Sequence, residues 1–200
     1  VTGGVSPYTY SWSTLPIQTT QAIFNLSAGT YTVTVTDASG SSATATVNIA
    51  QPSPVTVFTN PTNVSCYGGN NGSASAIAGG GTSPYIYSWN TFPVQTTATA
   101  ANLYAGNYEV TVTDANACTK TAMVSVTQPN ALIAVADTTV NSDCGASNGK
   151  AKANAQGGTS PYSYSWNNGN STSAITGLAQ GSYSLTTTDA NGCTHAVITT

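Results

Sequence analysis

The chain has 200 residues, of which 40% are hydrophobic and only 4% are charged, and its net charge is −3. Average soluble domains contain about 25% charged residues, so this surface must be built from Ser, Thr, Asn, Gln and Gly. Three basic residues provide no patch for a nucleic-acid backbone or an anionic membrane, and no apolar run is long enough to cross a bilayer. We therefore expect no nucleic acid as a partner and no membrane insertion of this segment.

The first predicted strand lies in the sequence SPYTYSW at 6–12, which returns as SPYIYSW at 83–89 and as SPYSYSW at 160–166. Every second residue of this strand is aromatic, and a period of two places the rings on one face. Small sandwich domains need large core side chains, and a Trp on a central strand is the expected anchor. The sequence predicts six core aromatic anchors: Tyr10, Trp12, Tyr87, Trp89, Tyr164 and Trp166.

An exposed platform that stacks on sugar rings is the alternative for these residues, because paired aromatic side chains also suit that role. The first Tyr of each copy lies beside Pro at the entrance of the strand. These three residues are the candidates for a surface contact: Tyr8, Tyr85 and Tyr162.

The next predicted strand follows the pattern Leu-x-x-Gly-x-Tyr, found at 26–31, 103–108 and 178–183. A Tyr that opens a strand after a Gly turn resembles the tyrosine corner of Greek-key sandwiches, in which its hydroxyl bonds to upstream backbone. Polar and apolar residues then alternate, which is typical of a half-buried strand. The predicted corner residues are Tyr31, Tyr108 and Tyr183.

Other strands are predicted between clusters of Gly, Asn and Pro, and no segment shows the 3.6-residue period of a helix. In the middle of the chain they lie at 55–59, 73–78, 84–90 and 96–101. Short strands with frequent turns indicate an antiparallel sandwich. We predict an all-β protein of tandem immunoglobulin-like Greek-key β-sandwich domains, arranged as beads on a string.

Domain limits are predicted from an internal period. Pro7, Pro84 and Pro161 are spaced by 77 residues, and so are the Gln-Pro pairs at 51–52 and 128–129. Because Pro stops strand pairing, we place the limits at these pairs. The expected parts are the back of a first repeat (1–51), a complete second repeat (52–128) and a third repeat without its last few residues (129–200). The chain is thus expected to be a segment of a longer polypeptide.

The four cysteines fall as one pair in the second repeat and one pair in the third. Paired cysteines in small domains indicate disulfides and an oxidising, extracellular compartment. The predicted bonds join Cys66 to Cys118 and Cys144 to Cys193. Zinc is the rival ligand, but the chain has no CxxC motif and only one His.

Catalytic residues are not predicted, and neither an enzyme nor a cofactor is expected. The one histidine, His195, aligns with Lys120 in the second repeat and Ala43 in the first. The sequence GASNG at 145–149 matches a nucleophile motif that requires a strand-to-helix elbow, and no helix is predicted after it.

Metal binding is likewise not predicted. The Asp of each repeated Thr-Asp-Ala triplet heads a turn, where such residues bond their own backbone, and calcium needs six to eight oxygens. A weak calcium site at Asp137 and Asp143 stays open. The three turn residues are Asp37, Asp114 and Asp189.

Four blocks of the second repeat, taken in order, resemble the SprB-type repeat. They are Cys-x-Gly-Gly-x-x-Gly-Ser at 66–73, Gly-Gly-x-x-Pro-Tyr-x-Tyr-x-Trp at 80–89, Leu-x-x-Gly-x-Tyr through Asp-Ala-x-x-Cys at 103–118, and Gln-Pro at 128–129. The resemblance implies a stalk or filament segment of a very large cell-surface adhesin of Bacteroidota, exported by the type nine secretion system and used in attachment or gliding motility. It carries over no catalytic residues.

Neighbouring repeats are the expected partners. Uncharged edge strands also invite lateral association of filaments, and surface polysaccharide is a further candidate. A carbohydrate-binding array and spacer repeats attached to an enzyme elsewhere are the alternative functions. Asp137-Thr138-Thr139 also looks like the O-glycosylation motif of that phylum, which makes Thr138 a candidate glycan site.

Overall fold

The fold is described from a computed structural model of all 200 residues. The chain forms fifteen β-strands, so the all-β prediction is confirmed, and the structure has no helix that could span a membrane. It divides into two compact units, Val1–Pro54 and Val55–Thr200. The predicted domain limits at 51/52 and 128/129 both fall between strands and stay predictions.

The first unit contains one antiparallel sheet, in the order β1-β2-β3. Its strands are β1 (Thr9–Trp12), β2 (Gly29–Thr36) and β3 (Ser42–Ile49). The aromatic strand β1 pairs with β2, so that Tyr10 lies opposite Val35 and Trp12 opposite Val33. All four of these side chains are half-buried.

The second repeat forms two three-stranded antiparallel sheets within the second unit. The first sheet contains β4 (Thr56–Thr62), β5 (Gly72–Gly79) and β7 (Thr99–Leu103). The second sheet contains β6 (Ile86–Trp89), β8 (Gly106–Thr113) and β9 (Thr119–Val126). This division matches strands A, B, E and C, F, G of an immunoglobulin domain without strand D, so the predicted fold is confirmed.

The third repeat has the same topology. Its first sheet contains β10 (Ile133–Val140), β11 (Gly149–Gln156) and β13 (Ala174–Leu178). Its second sheet contains β12 (Ser163–Trp166), β14 (Tyr183–Thr188) and β15 (Thr194–Thr199). In each repeat the first strand also lies against the last, since the Oγ1 of Thr59 donates to the O of Met123 and the N–H of Ala134 donates to Nδ1 of His195.

The core of the second repeat combines mostly small residues on one sheet with large residues on the other. In the second repeat, β5 and β7 contribute Ala74, Ala76 and Ala100, and the opposite sheet contributes Trp89 and Val110. A large indole needs space, and alanines on the opposing strands leave that space while keeping the interior close-packed. In the third repeat β11 contributes Ala151 and Ala153 around Trp166, but β13 contributes the larger Ile175 where the second repeat has Ala100.

One position of the third core carries a hydroxyl that the second core lacks. Thr187 lies opposite Tyr164 as Val112 lies opposite Tyr87, so the two residues are equivalent. Thr187 is fully buried, and its Oγ1 has no hydrogen-bond partner. A buried polar group without a partner costs free energy that an apolar group of the same shape does not.

We therefore expect Thr187→Val to stabilise the third repeat by about 1 kcal/mol, because Val has the same shape and needs no partner. Differential scanning calorimetry would show the gain as a higher transition temperature. The reverse change, Val112→Thr, is the matched control and should lower the stability of the second repeat. A lower transition temperature for the Thr187→Val protein would contradict the assignment of an unpaired hydroxyl.

Candidate functional site

The aromatic strand lies inside each complete sandwich. Trp89 and Trp166 are 1% and 2% exposed, and Trp12 is half-buried. The Tyr two residues earlier is half-buried, and Tyr87 and Tyr164 pack against their cores. The indole N–H donates to a loop carbonyl at 3.0 Å in every copy, from Thr20, Thr97 and Thr172. Two buried indoles cannot stack on a sugar, so the structure argues against the platform alternative at these positions.

The corner tyrosines hold the loop that precedes their strand. The hydroxyl of Tyr108 donates to the carbonyl O of Tyr104 at 3.0 Å. Tyr31 and Tyr183 make the same bond four residues upstream, to Ser27 and Ala179. This is the hydrogen bond that defines a tyrosine corner.

The tyrosines predicted as candidates for a surface contact also bond within the fold. The hydroxyls of Tyr8 and Tyr162 donate to the carbonyl O of Gly3 and Gly157 at 2.7 and 2.6 Å, and that of Tyr85 donates to Gly80. All three rings are half-buried. A surface contact of these half-covered rings stays a prediction, and the hydroxyl bond adds a structural role, which is to hold the Gly turn.

The repeated Asp receives three backbone N–H groups. Oδ1 of Asp114 accepts from Asn116 and Cys118 at 2.9 and 2.8 Å, and Oδ2 accepts from Thr82 at 2.9 Å. The carboxylate thereby ties the β8–β9 turn to the loop that leads into the aromatic strand. Asp189 and Asp37 have the same arrangement in the other repeats.

A glycine makes room for each of these carboxylates. Gly81 has a φ of +57°, and a Cβ there would lie 2.6 Å from Oδ2 of Asp114. Gly158 and Asp189 repeat both values closely, with +55° and 2.6 Å. The second Gly of the repeated Gly-Gly pair is therefore required by the Asp on the neighbouring turn.

These hydrogen bonds lower the pKa of the carboxyl groups. The N–H of Thr82 is the main cause for Asp114, and the Ser39 side chain is the main cause for Asp37. At Asp189 burial raises the pKa, but the N–H groups of Thr159 and Cys193 outweigh it. The folded protein thus holds these groups as carboxylates more strongly than the unfolded chain does.

The stability of the fold is expected to fall as pH drops below the ordinary Asp pKa of 3.8. Because the folded pKa is lower, the stabilisation is complete above that value and is lost as pH falls through the folded pKa. Urea unfolding between pH 7 and pH 2 should show this loss. Asp114→Asn should be less stable at pH 7 and should show a weaker dependence on pH.

Asp137→Asn is the matched control, because the Asp137 side chain is exposed on β10 and accepts only from the Asn154 amide, at 3.4 Å. An Asp114→Asn protein with the full pH dependence of the parent would contradict a stabilising role for the turn carboxylate.

The disulfide differs from both predicted pairs. Cys66 bonds to Cys193, with an S–S distance of 2.02 Å and a Cα–Cα distance of 5.7 Å. Cys118 and Cys144 are free and exposed. The bond therefore joins the second repeat to the third, and the prediction of one bond inside each repeat is wrong.

The reason lies in the direction of the strands. Cys66 follows β4 and lies where β9 ends, since Val64 donates to the O of Thr127. Cys118 lies in the turn that begins β9, so the length of that strand separates the two cysteines. Eight residues of strand span about 26 Å, whereas disulfide Cα atoms lie about 4.4–6.8 Å apart.

Polar contacts surround the observed bond. The side-chain amide of Asn191 donates to the O of Ser65 at 3.0 Å. On the second repeat, the N–H of Gly68 donates to Oε1 of Gln128 at 2.7 Å. The Gln of the Gln-Pro pair thus fixes the Cys66 loop to the segment that leads into the third repeat, a role that sequence reasoning missed.

Thiol labelling is expected to modify two cysteines of the oxidised protein. Iodoacetamide should alkylate Cys118 and Cys144, because both side chains are exposed, and should leave Cys66 and Cys193 unmodified. After reduction all four should react. Peptide masses that place the label on Cys66 or Cys193 before reduction would contradict the observed pairing.

The titratable residues considered for catalysis or metal binding form hydrogen bonds within the fold. His195 lies on β15 and accepts the N–H of Ala134 at 3.2 Å. Asp143 accepts from the Asn148 amide at 2.6 Å, and the sequence GASNG runs from the loop after β10 into the first residue of β11. The structure contains no group of three or more His, Cys, Asp or Glu side chains placed to hold a metal ion.

Two exposed loop tips were not singled out from the sequence. Phe92 and Val94 are 104% and 61% exposed in the second repeat, and Leu15 and Ile17 are 98% and 62% exposed in the first. The signal was available, because both loops have an apolar residue on each side of a Pro at the same 77-residue spacing. In the third repeat the corresponding loop is polar.

Comparisons with known proteins give one matching family and several similar solved structures. The SprB repeat family matches residues 58–92 and 136–171. No curated protein matches the chain. An amphioxus IgVJ-C2 structure is 16% identical, with 64% of this chain and 92% of that one covered and a TM-score of 0.33.

Two further structures are of longer fragments. The eight N-terminal Ig domains of Down syndrome cell adhesion molecule are 13% identical, with 96% of this chain and 32% of that one covered and a TM-score of 0.37. A 282-residue intimin fragment, solved with the intimin-binding domain of its receptor, is 14% identical, with 85% and 56% covered and a TM-score of 0.33. At TM-scores below 0.5 these likenesses say nothing about function.

The family match agrees with the geometry of the repeats. Each matched segment begins in the first strand of a sandwich, passes through the Cys loop and the Gly-Gly turn, and ends just after the aromatic strand. The resemblance read from the sequence is thus confirmed, since the SprB repeat family matches this chain at two places, one in each complete sandwich.

Proposed function

We propose that the chain is a stalk or filament segment of a secreted cell-surface adhesin that serves in surface attachment or gliding. Its length comes from tandem repeats, and the Cys66–Cys193 bond across two of them is the observation that carries the proposal. A bond within one domain adds stability to that domain alone. A bond between domains transmits tension from one to the next and restricts their separation.

The disulfide and the family match support an extracellular place for the segment. Disulfides persist in oxidising compartments, and SprB repeats are those of cell-surface adhesins. Type nine secretion and an origin in Bacteroidota follow from the family as parts of the same proposal. Glycosylation at Thr138 stays a prediction; its Oγ1 lies 2.8 Å from Oγ1 of Thr199 on an exposed strand.

The proposal is tested with the full-length protein in its source organism. Cys66→Ser together with Cys193→Ser should leave surface display unchanged, measured by antibody labelling of intact cells. Attachment under flow should fall, because the two repeats are then joined only by the chain between them. Unchanged attachment at high shear would overturn a mechanical role, and absence of the segment from the cell surface would overturn its location.

A carbohydrate-binding array predicts a different result. Titration of the 200-residue chain with cell-surface polysaccharides should leave Trp fluorescence unchanged, because Trp89 and Trp166 are buried and their N–H groups are occupied. A saturable change in emission would favour the array instead.

A further inference from the structure

The joint between the second and third repeats consists of two halves, the loop that holds Cys66 and the turn that holds Cys193. A second copy of each half occurs in this chain. The Cys66 loop is held by its own Asn, because the N–H of Ser65 donates to Oδ1 of Asn71 at 3.0 Å. The Cys144 loop has the same clamp, from the N–H of Asp143 to Oδ1 of Asn148, also at 3.0 Å. Cys144 therefore lies in a loop built like that of Cys66, but its thiol is free and exposed.

The other half of the joint is also duplicated. In the turn of Cys193, the Asn191 amide donates to Oγ1 of Thr159 at 3.0 Å and also reaches the second repeat. In the turn of Cys118, the Asn116 amide donates to Oγ1 of Thr82 at the same distance. Cys118 thus lies in a turn that matches the Cys193 turn, and its thiol is free and exposed as well.

Neither free cysteine has a partner within reach in its own repeat. The Cys loop lies at the end where a repeat leads into the next one, since Gly68 bonds to Gln128. The Asp turn lies at the opposite end, where the repeat begins, since Val55 contacts the Gly81 position beside Asp114. Each of the two complete repeats therefore presents one cysteine at its exit and one at its entrance.

We propose that Cys118 and Cys144 are open halves of the same joint, and that their partners are neighbouring repeats of the same polypeptide. Cys144 bonds to the entrance cysteine of the repeat that follows. Cys118 bonds to the exit cysteine of the repeat that precedes. Successive bonds then overlap along the chain, so that each complete repeat is tied to both neighbours.

The chemistry is an ordinary two-electron oxidation. Two protein thiols lose two protons and two electrons and form one S–S bond. A disulfide oxidant, such as oxidised glutathione, accepts them and leaves as two thiols. The same exchange accounts for the Cys66–Cys193 bond.

The first repeat differs from the other two, because it has no cysteine at its entrance. Ser41 occupies the position of Cys118 and Cys193, although its turn is built in the same way, with the N–H of Ser41 donating to Oδ1 of Asp37 at 2.9 Å. A hydroxyl cannot form the bond, so the first repeat has no covalent tie at its entrance. The inference depends only on the repeat pattern and not on where the protein is displayed.

The test is to extend the 200-residue chain by one repeat. A copy of residues 126–200 is placed after Thr200, so that the strand and the Gln-Pro joint continue in register. The oxidised protein is digested with pepsin at low pH, where few thiolates remain to exchange disulfides. The copy carries Ser142→Thr and Thr194→Ser, so that its Cys144 and Cys193 peptides differ in mass from the originals. Non-reducing mass spectrometry should find the original Cys144 bonded to the copied Cys193, beside the original Cys66–Cys193 bond.

The matched control is the same extension with the copied Cys193→Ser, in which Cys144 should again be free. A second extension carries residues 126–128 followed by a copy of 52–128, and offers the copied Cys118 at the same place. Differential scanning calorimetry establishes that each added repeat is folded. Cys144 left free in both folded extensions, or a bond within the added repeat, would overturn the proposal.

Discussion

Reduction of the Cys66–Cys193 bond is expected to raise the length to which this chain can be pulled almost threefold. Tension applied at Val1 and Thr200 passes from Cys66 through the bond to Cys193, a sequence separation of 127. The residues between them carry no tension while the bond is intact. At about 3.6 Å per residue, the oxidised chain should extend to roughly 260 Å and the reduced chain to roughly 700 Å.

Single-molecule force spectroscopy measures both lengths directly. Replacing Cys118 and Cys144 with Ser is the matched control, because it removes two thiols and leaves the observed bond intact. That variant should keep the short oxidised length. Equal extension of the oxidised and reduced parent would show that the bond does not join the two repeats.

Trp89→Ala is expected to destabilise the second repeat by about 3–5 kcal/mol, the largest effect of any single side chain in that core. The indole is 1% exposed and is surrounded by small residues, including Ala74 and Ala100. Their methyl side chains are too short to fill the cavity. The Trp N–H bond to Thr97 is lost as well, which leaves a loop carbonyl without a donor.

Urea unfolding followed by far-UV circular dichroism would measure this loss, because that signal does not depend on the deleted Trp. Phe92→Ala is the matched control; its ring is 104% exposed, and the change should stay within about 0.5 kcal/mol. Trp12→Ala should cost less than Trp89→Ala, because the Trp12 ring is only half-buried. Similar losses for Trp89→Ala and Phe92→Ala would contradict the description of the core.

The fold could be predicted from the sequence because its signals are local. Alternation of Thr and Val at 108–113 corresponds to β8, and the aromatic alternation at 84–90 corresponds to β6. The strand predicted at 96–101 instead runs from Thr99 to Leu103, because the Trp89 N–H and the Gln95 side chain hold the preceding loop. Periodicity finds a strand, but loop hydrogen bonds fix its ends.

The cysteine pairing could not be found by counting, because the number of cysteines per repeat is the same for bonds within and between repeats. The useful signal was their place on the strands. Cys66 follows one strand and Cys118 precedes the last, which puts them at opposite ends of an antiparallel sandwich. That inference needs the strand order, and the strand order follows from the fold.

Long-range backbone contacts were also beyond a single sequence. The Gly81 position is determined by the side chain of Asp114, which is more than thirty residues away along the chain. Sequence reasoning assigned Asp114 to its own turn, which is correct for Asn116 and Cys118 but omits Thr82. The repeated Gly, the repeated Asp and the repeated Tyr form one small network that a pattern search treats as three motifs.

The position of the lysines means that the inter-repeat bond also protects the chain against separation by proteolysis. Lys120, Lys150 and Lys152 are the only basic side chains, and all three are exposed on strands between Cys66 and Cys193. A trypsin-like protease that cuts at any of them leaves both ends of the segment attached through the bond. Cleavage of the backbone at these sites therefore does not separate the parts of the chain on either side of the cut. A chain without the cross-link would be divided in two by the same cleavage.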